Sequence, residues 1–148
     1  MGDAPLKRPP QIVGNIGLYY VCYQLSRLGW NVMPTARNAR GIDLLAYSSD
    51  GQERVSIQVK AMSGATNIQL RDDDTMADFW VIVTNAATDA PECFVLTPLE
   101  VRQGCKSYGG KPWLQKDGYR RDAFRHAWSR IGAVASSTPV ADCHIDPA

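Results

Sequence analysis

Long apolar runs are missing from this chain, and so are paired cysteines, histidine clusters and internal repeats. No stretch approaches the ~20 consecutive apolar residues that a membrane-spanning helix requires. The opening Met1-Gly2-Asp3-Ala4-Pro5 lacks the charged and apolar regions of a secretory leader, so the expectation is a cytoplasmic protein. Cys22, Cys93, Cys105 and Cys143 form no CxxC pair, and the histidine next to one of them, His144, follows Cys143 in a terminal segment. Zinc needs clustered ligands, so these residues read as buried or free thiols in a reducing compartment. Net charge is lacking too: 16 Lys and Arg against 15 Asp and Glu leave +1.

What is present is ordinary for one globular domain. The chain has 148 residues, 45% hydrophobic and 21% charged, which is enough to bury a core. Residues 1–10, ending in Lys7-Arg8-Pro9-Pro10, read as a flexible arm, 11–132 as the domain, and 133–148 as a flexible tail. Charge is uneven along the chain. Asp72, Asp73, Asp74, Asp78, Asp89, Glu92 and Glu100 follow one another with no intervening base. From Arg102 to Arg130 the bases Lys106, Lys111, Lys116, Arg120, Arg121 and Arg125 face only Asp117 and Asp122. Such a basic segment either meets phosphate or forms a solvated face, and Lys106, Lys111 and Lys116 are its candidate nucleic-acid contacts.

Apolar residues from Ile12 to Leu28 recur at helical spacing and stop at Gly29, which predicts a helix over about Gln11 to Leu28. Gly14 and Gly17 weaken that helix unless something packs closely against it. Trp30–Met33 reads as a short strand closed by Pro34, and Thr35–Gly41 as a polar connection. Ile42–Tyr47 and Arg54–Lys60 read as a hairpin turned at Ser48-Ser49-Asp50-Gly51. Ile68–Leu70 is a short extended piece. Phe79–Val83 is a strand covered on both faces, Cys93–Leu96 a further strand, and Pro98–Val101 a helix start. Gly109-Gly110-Lys111-Pro112 is expected to break regular structure. Asp122–Ile131 is expected to be a final helix with Phe124, Ala127, Trp128 and Ile131 on one face. The fold class is α/β, a mixed central sheet with flanking helices.

Alternation across the second hairpin strand puts Ser56, Gln58 and Lys60 on one face and Val55, Ile57 and Val59 on the other. A turn at Asp50-Gly51 brings Asp43 opposite Gln58, give or take a residue or two. A carboxylate, an amide and an ammonium thus converge on a strand pair that also forms the core. Alternatively, Asp43 and Lys60 form a structural ion pair between strands, and Gln58 a cross-strand hydrogen bond. Asp72, Asp73 or Asp74 could supply a second acid, although the run reads more readily as a surface turn. Arg37 and Arg40, just before Asp43, are candidate phosphate contacts, and Trp80, Trp113 and Trp128 read as packing residues.

Gly41-Ile42-Asp43-Leu44-Leu45 followed by a turn and Ile57-Gln58-Val59-Lys60 resembles the core motif of the PD-(D/E)xK nucleases. It is the glutamine variant, similar to that of some group I intron homing endonucleases. The resemblance implies a restriction-endonuclease-like αβββαβ core and a metal-dependent DNA endonuclease that hydrolyses phosphodiester bonds. By the same resemblance Asp43, Gln58 and Lys60 are catalytic. Asp43, Gln58 and the Val59 carbonyl bind Mg²⁺ or Mn²⁺, and Lys60 orients the attacking water or neutralises the phosphate. DNA and a second copy of the chain are the implied partners. Leu18 stands where many members carry a glutamate, and Ile42 replaces the motif proline. A catalytically silent member of the fold, acting as a nucleic-acid-binding or protein-interaction module, is the alternative.

Overall fold

The computed structural model describes residues 7–39, 41–72, 74 and 76–132, the side chains of 37–39 excepted. Helix α1 (Pro10–Arg27) starts at a proline, tolerated in a first turn whose amides lack helical partners in any case. Its buried stripe is Val13, Gly17, Val21 and Leu25, one residue per helical turn, while Ile12, Tyr19 and Leu28 stay exposed. Gly17 is there for closeness: a Cβ on it would lie 2.2 Å from Ala61 Cβ. Gly14 has nothing within 4 Å.

The main sheet has strand order β1-β2-β3-β5-β6. Its members are β1 (Asn31–Ala39), β2 (Ile42–Tyr47), β3 (Arg54–Ala61), β5 (Phe79–Thr84) and β6 (Glu92–Leu96). Only β3 and β5 run parallel. β1 does not stop at Pro34. It continues through Thr35 to Ala39 with a register break after Pro34, and the segment expected to be a loop is strand. β1 is an edge strand, where a proline and an irregularity are tolerated. Thr35 Oγ1 ties this edge to β2 by donating to the Ile42 carbonyl at 2.6 Å.

The connection from β3 to β5 carries the short strand β4 (Ile68–Gln69) instead of a helix. β4 pairs with β8 (Lys111–Leu114), which pairs with β7 (Cys105–Tyr108), in a second sheet of order β4-β8-β7. Gly109 and Gly110, at φ +58° and +76°, make the two-residue turn of the β7–β8 hairpin, so these glycines shape structure where they were expected to break it. Helix α2 (Pro98–Gln103) has a full capping box between Thr97 and Glu100. Helix α3 (Lys116–Tyr119) is a single turn.

The expected final helix is absent. His126 N donates to the Cys93 carbonyl at 2.7 Å and Val95 N to the Phe124 carbonyl at 2.9 Å, so this segment lies along β6 and covers the sheet edge. Only Trp128–Arg130 is helical, as a 3₁₀ turn. Phe124 then packs into one core cluster and Ile131 into the other, which one helical face does not allow.

Those clusters occupy the two faces of the sheet. On the α1 face lie Leu44, Ala46, Val55, Ile57, Phe79, Val81 and Val83. On the other face Trp80, Ile82, Phe94 and Leu96 pack under Leu70, Val101, Leu114 and Tyr119 from the small sheet and the short helices. β5 alternates between the two, which is why its whole run is apolar and buried. Part of the charge segregation along the chain cancels in space. Arg120 and Arg125 pair with Glu92, and Arg130 pairs with both oxygens of Glu100 at 2.7 Å.

Among the described residues no helix is long and apolar enough to cross a membrane. Cys22, Cys93 and Cys105 are free thiols, and burial pushes Cys93 up to about 12. The expected tail at 133–148, with Cys143 and His144, lies outside the described residues, as do residues 1–6 of the expected arm.

Candidate functional site

β2 and β3 pair with Leu44 opposite Ile57 and Leu45 opposite Ser56. One step further along this register, Asp43 faces Gln58, as the hairpin spacing predicts. Leu44 and Ile57 are fully buried against α1, so Asp43, Gln58 and Lys60 point to the opposite face. There Gln58 neighbours Trp80 of β5 and Lys60 neighbours Ile82.

The residue that joins this group comes from the acidic run 72–74, which the sequence offers as a possible second acid but reads more readily as a surface turn. Asp74 is 2% exposed, and its carboxylate lies at the centre of the cluster. Its Oδ1 accepts from Gln58 Nε2 at 2.7 Å and from Lys60 Nζ at 3.2 Å. Its Oδ2 accepts from the Arg71 amide at 2.7 Å, and its backbone carbonyl from Trp80 Nε1 at 2.6 Å. Asp72 is exposed, so the acidic run straddles surface and core. Nothing in three consecutive aspartates marks which one turns inward. The only signal was the absence of any other second acid near the motif.

Asp43 is half-buried and accepts from the Val59 amide through Oδ2 at 2.7 Å. Among the described residues its other oxygen accepts no hydrogen bond. Burial raises its pKa above the ordinary value, opposed by the Val59 hydrogen bond and the Lys60 charge and assisted by the Asp74 charge. The expected alternative, an Asp43–Lys60 ion pair, does not form: Lys60 pairs with Asp74 and acts on Asp43 through space. The Lys60 ammonium also sits 5.5 Å from the centroid of the Trp80 ring.

Gln58 is 1% exposed, and its Oε1 is a buried acceptor without a hydrogen-bond partner among the described residues. The Asp74 carboxylate fixes this orientation, because it accepts only from the amide nitrogen and so turns the amide oxygen away from itself. An unpaired buried acceptor costs about 1–3 kcal/mol and calls for an explanation. The donor set available here is hard oxygen: the second Asp43 oxygen and Gln58 Oε1. That set suits a divalent cation of the magnesium type. No group of three or more His, Cys, Asp or Glu side chains forms a metal cluster among the described residues.

The remaining sequence candidates lie elsewhere. Lys106 and Lys111 are exposed on the β7–β8 hairpin, and Lys116 is exposed at the start of α3. Arg37 lies in β1 with its side chain outside the described residues, and Arg40 lies outside them altogether. Trp80 is buried in the core, whereas Trp113 is partly exposed on the outer side of the small sheet. Leu18 packs against the α1-face core.

No protein-family model and no curated protein matches the chain. Solved structures do resemble it. The bacterial homing endonuclease I-Ssp6803I is 18% identical, with 86% of this chain and 98% of that one covered at a TM-score of 0.57. Hjc of Archaeoglobus fulgidus, a Holliday junction resolvase from an archaeal hyperthermophile, is 14% identical, with 72% and 86% covered at a TM-score of 0.51. At these identities the likeness shows the fold alone: this chain, with its five-stranded mixed sheet and leading helix, has the restriction-endonuclease-like fold.

Proposed function

We propose that the chain is a metal-dependent DNA endonuclease whose reaction centre is Asp43, Gln58 and Lys60. The observation that carries this reading is Gln58 Oε1, buried and without a hydrogen-bond partner among the described residues, on the strand opposite a carboxylate with one oxygen that accepts from none of them. Asp43 and Gln58 would hold Mg²⁺ or Mn²⁺, with the Val59 carbonyl as a further oxygen. The ion would supply Lewis-acid polarisation of the scissile phosphate.

The chain's own groups do the rest. Lys60 has three ammonium donors, of which Asp74 takes one. The others are available to a phosphate oxygen and to the attacking water. Its side chain keeps 24% exposure, enough to meet a substrate from solvent. As the phosphorus becomes five-coordinate, the nearby ammonium offsets the added negative charge. Asp74 is a positioning residue: it fixes the Gln58 amide and keeps Lys60 on the site side of Trp80. Because one copy carries one such centre, cutting both strands of a duplex takes two copies, so the working form is a homo-oligomer.

The test is cleavage of supercoiled plasmid and labelled oligonucleotides in Mg²⁺ or Mn²⁺. Asp43→Asn and Lys60→Met should each reduce cleavage by at least a hundredfold while leaving the fold intact by circular dichroism. Cleavage that survives both substitutions would place the activity outside this site. One observation favours a second reading, a catalytically silent nucleic-acid-binding module: Leu18 is part of the core on α1, and α1 brings no acid to the site. Absence of cleavage by the parent, with salt-sensitive DNA binding retained, would select that reading.

A further inference from the structure

The small sheet has an inner and an outer face. Ile68, Leu114 and Cys105 form one cross-strand row, and all three pack into the core. The next row, Gln69, Trp113 and Lys106, therefore points outward, as do Lys111 and Tyr108 two residues further along their strands. Tyr108 is 54% exposed and Trp113 is partly exposed, between two exposed lysines. Among the described residues this face carries no acid. Neither Lys106 nor Lys111 forms an ion pair among the described residues, in contrast to Arg120, Arg125 and Arg130. Six cation–ring contacts occur among the described residues, and none of them covers Trp113 or Tyr108. A shallow, open depression of about 620 Å³ lies between Tyr108, Lys111, Trp113, Gln69 and Asn67. β4 leads from this face, within a few residues, to Asp74 in the candidate site.

Packing alone does not account for an exposed and a partly exposed aromatic ring flanked by unpaired cations. Stacked bases and phosphates supply what such a face lacks, an aromatic partner for the rings and negative charge for the lysines. Duplex DNA offers phosphates but keeps its base faces stacked on one another. We propose that the outer face of the small sheet binds single-stranded nucleic acid, with unpaired bases stacking on Trp113 and Tyr108 and phosphates meeting Lys106 and Lys111. It rests on the reading of nucleic acid as the substrate and narrows that class to DNA with an unpaired segment beside the cleavage point.

The experiment is fluorescence anisotropy of labelled oligothymidine in EDTA, where cleavage does not interfere, with a duplex of equal length as competitor. Tyr108→Ala and Trp113→Ala should each weaken oligothymidine binding about tenfold, and Trp113→Phe should restore most of it while abolishing the quenching of tryptophan emission. Lys106→Gln and Lys111→Gln should each flatten the salt dependence by about 0.7 in log–log slope. Arg27→Glu, on α1 across the sheet, is the control for charge. Should Trp113→Ala prove misfolded, Tyr108→Ala decides alone, since its side chain supports no core. Unchanged binding in the ring variants overturns the proposal, as does a duplex that competes equally through the lysines only. Loss of cleavage with oligothymidine binding intact would instead count against the nuclease reading.

Discussion

Asp74→Ala is the sharpest test of the buried network, because a surface turn and a core carboxylate predict different outcomes. The substitution strands three donors at once: Gln58 Nε2, Lys60 Nζ and the Arg71 amide. Gln58 is 1% exposed, so its amide has no water to turn to, and an unmade buried hydrogen bond costs about 1–3 kcal/mol. Lys60 loses its one ion-pair partner, but its partial exposure lets water recover some of that loss. Removing one member of a fully buried pair costs about 3–5 kcal/mol, which bounds the total from above. The expected destabilisation is about 3–4 kcal/mol, a large share of the ~5–15 kcal/mol that holds a domain of this kind together.

Asp74→Asn keeps one acceptor and should cost about half as much. Urea unfolding followed by tryptophan fluorescence, compared at constant slope, measures both. Asp72→Ala is the internal control: that residue is exposed and should shift stability by no more than about 0.5 kcal/mol. In a double-mutant cycle Asp74→Asn and Lys60→Met should fall short of additivity by about 1 kcal/mol, since each removes the same contact. If Asp74→Ala is as mild as Asp72→Ala, or the cycle is additive, the network does not hold the site together.

Two further outcomes follow from particular contacts. Gly17→Ala should destabilise the fold by about 1–3 kcal/mol, because its Cβ would meet Ala61 Cβ at 2.2 Å and must push α1 off β3; Gly14→Ala, with open space around it, should stabilise by about 0.5–1 kcal/mol in the same unfolding assay. Asp43 binds its proton more tightly folded than unfolded, since burial raises its pKa, so the stability it contributes is full below the ordinary carboxylate value and lost as pH rises through the raised one. Without divalent ions Asp43→Asn should therefore melt higher than the parent at pH 7 and lose that advantage as pH falls toward 4, whereas added Mg²⁺ should raise the melting point of the parent alone.

The hairpin was readable because its signals are local. Strict alternation from Arg54 to Lys60, a turn at Asp50-Gly51 and an apolar strand before it place Asp43 within a residue or two of Gln58 without reference to the rest of the chain. The α1 stripe and the continuous apolar run of β5 were readable for the same reason. What failed depended on partners far along the chain. Phe124, Ala127, Trp128 and Ile131 have helical spacing, but the backbone of that segment finds its hydrogen bonds on β6, a choice that only the assembled sheet edge offers. Gly109-Gly110 reads equally as a breaker or as a hairpin turn until a strand such as β4 is present to make β7 and β8 worth forming. Asp74 was hidden for the same physical reason: its burial is stabilised by Gln58, Lys60 and Arg71, and no property of residues 72–74 announces those partners.

Asp74 also changes what Gln58 means. On the motif alone, glutamine in place of an acid subtracts a charge from the site and leaves Asp43 as its only carboxylate. In the folded chain the second carboxylate arrives on the loop before β5, and it approaches from the side where an acid at position 58 would point. A glutamate there would set two buried carboxylates 2–3 Å apart, about the like-charge separation at which one must take up a proton. Glutamine resolves that conflict with one side chain: its nitrogen satisfies Asp74 and its oxygen is left over for a ligand. With Lys60 counted in, Asp43 and Asp74 bring the cluster to a formal charge of −1. The glutamine is therefore matched to Asp74, and the two positions should vary together: an acid at 58 is compatible with this site only where 74 is no longer one.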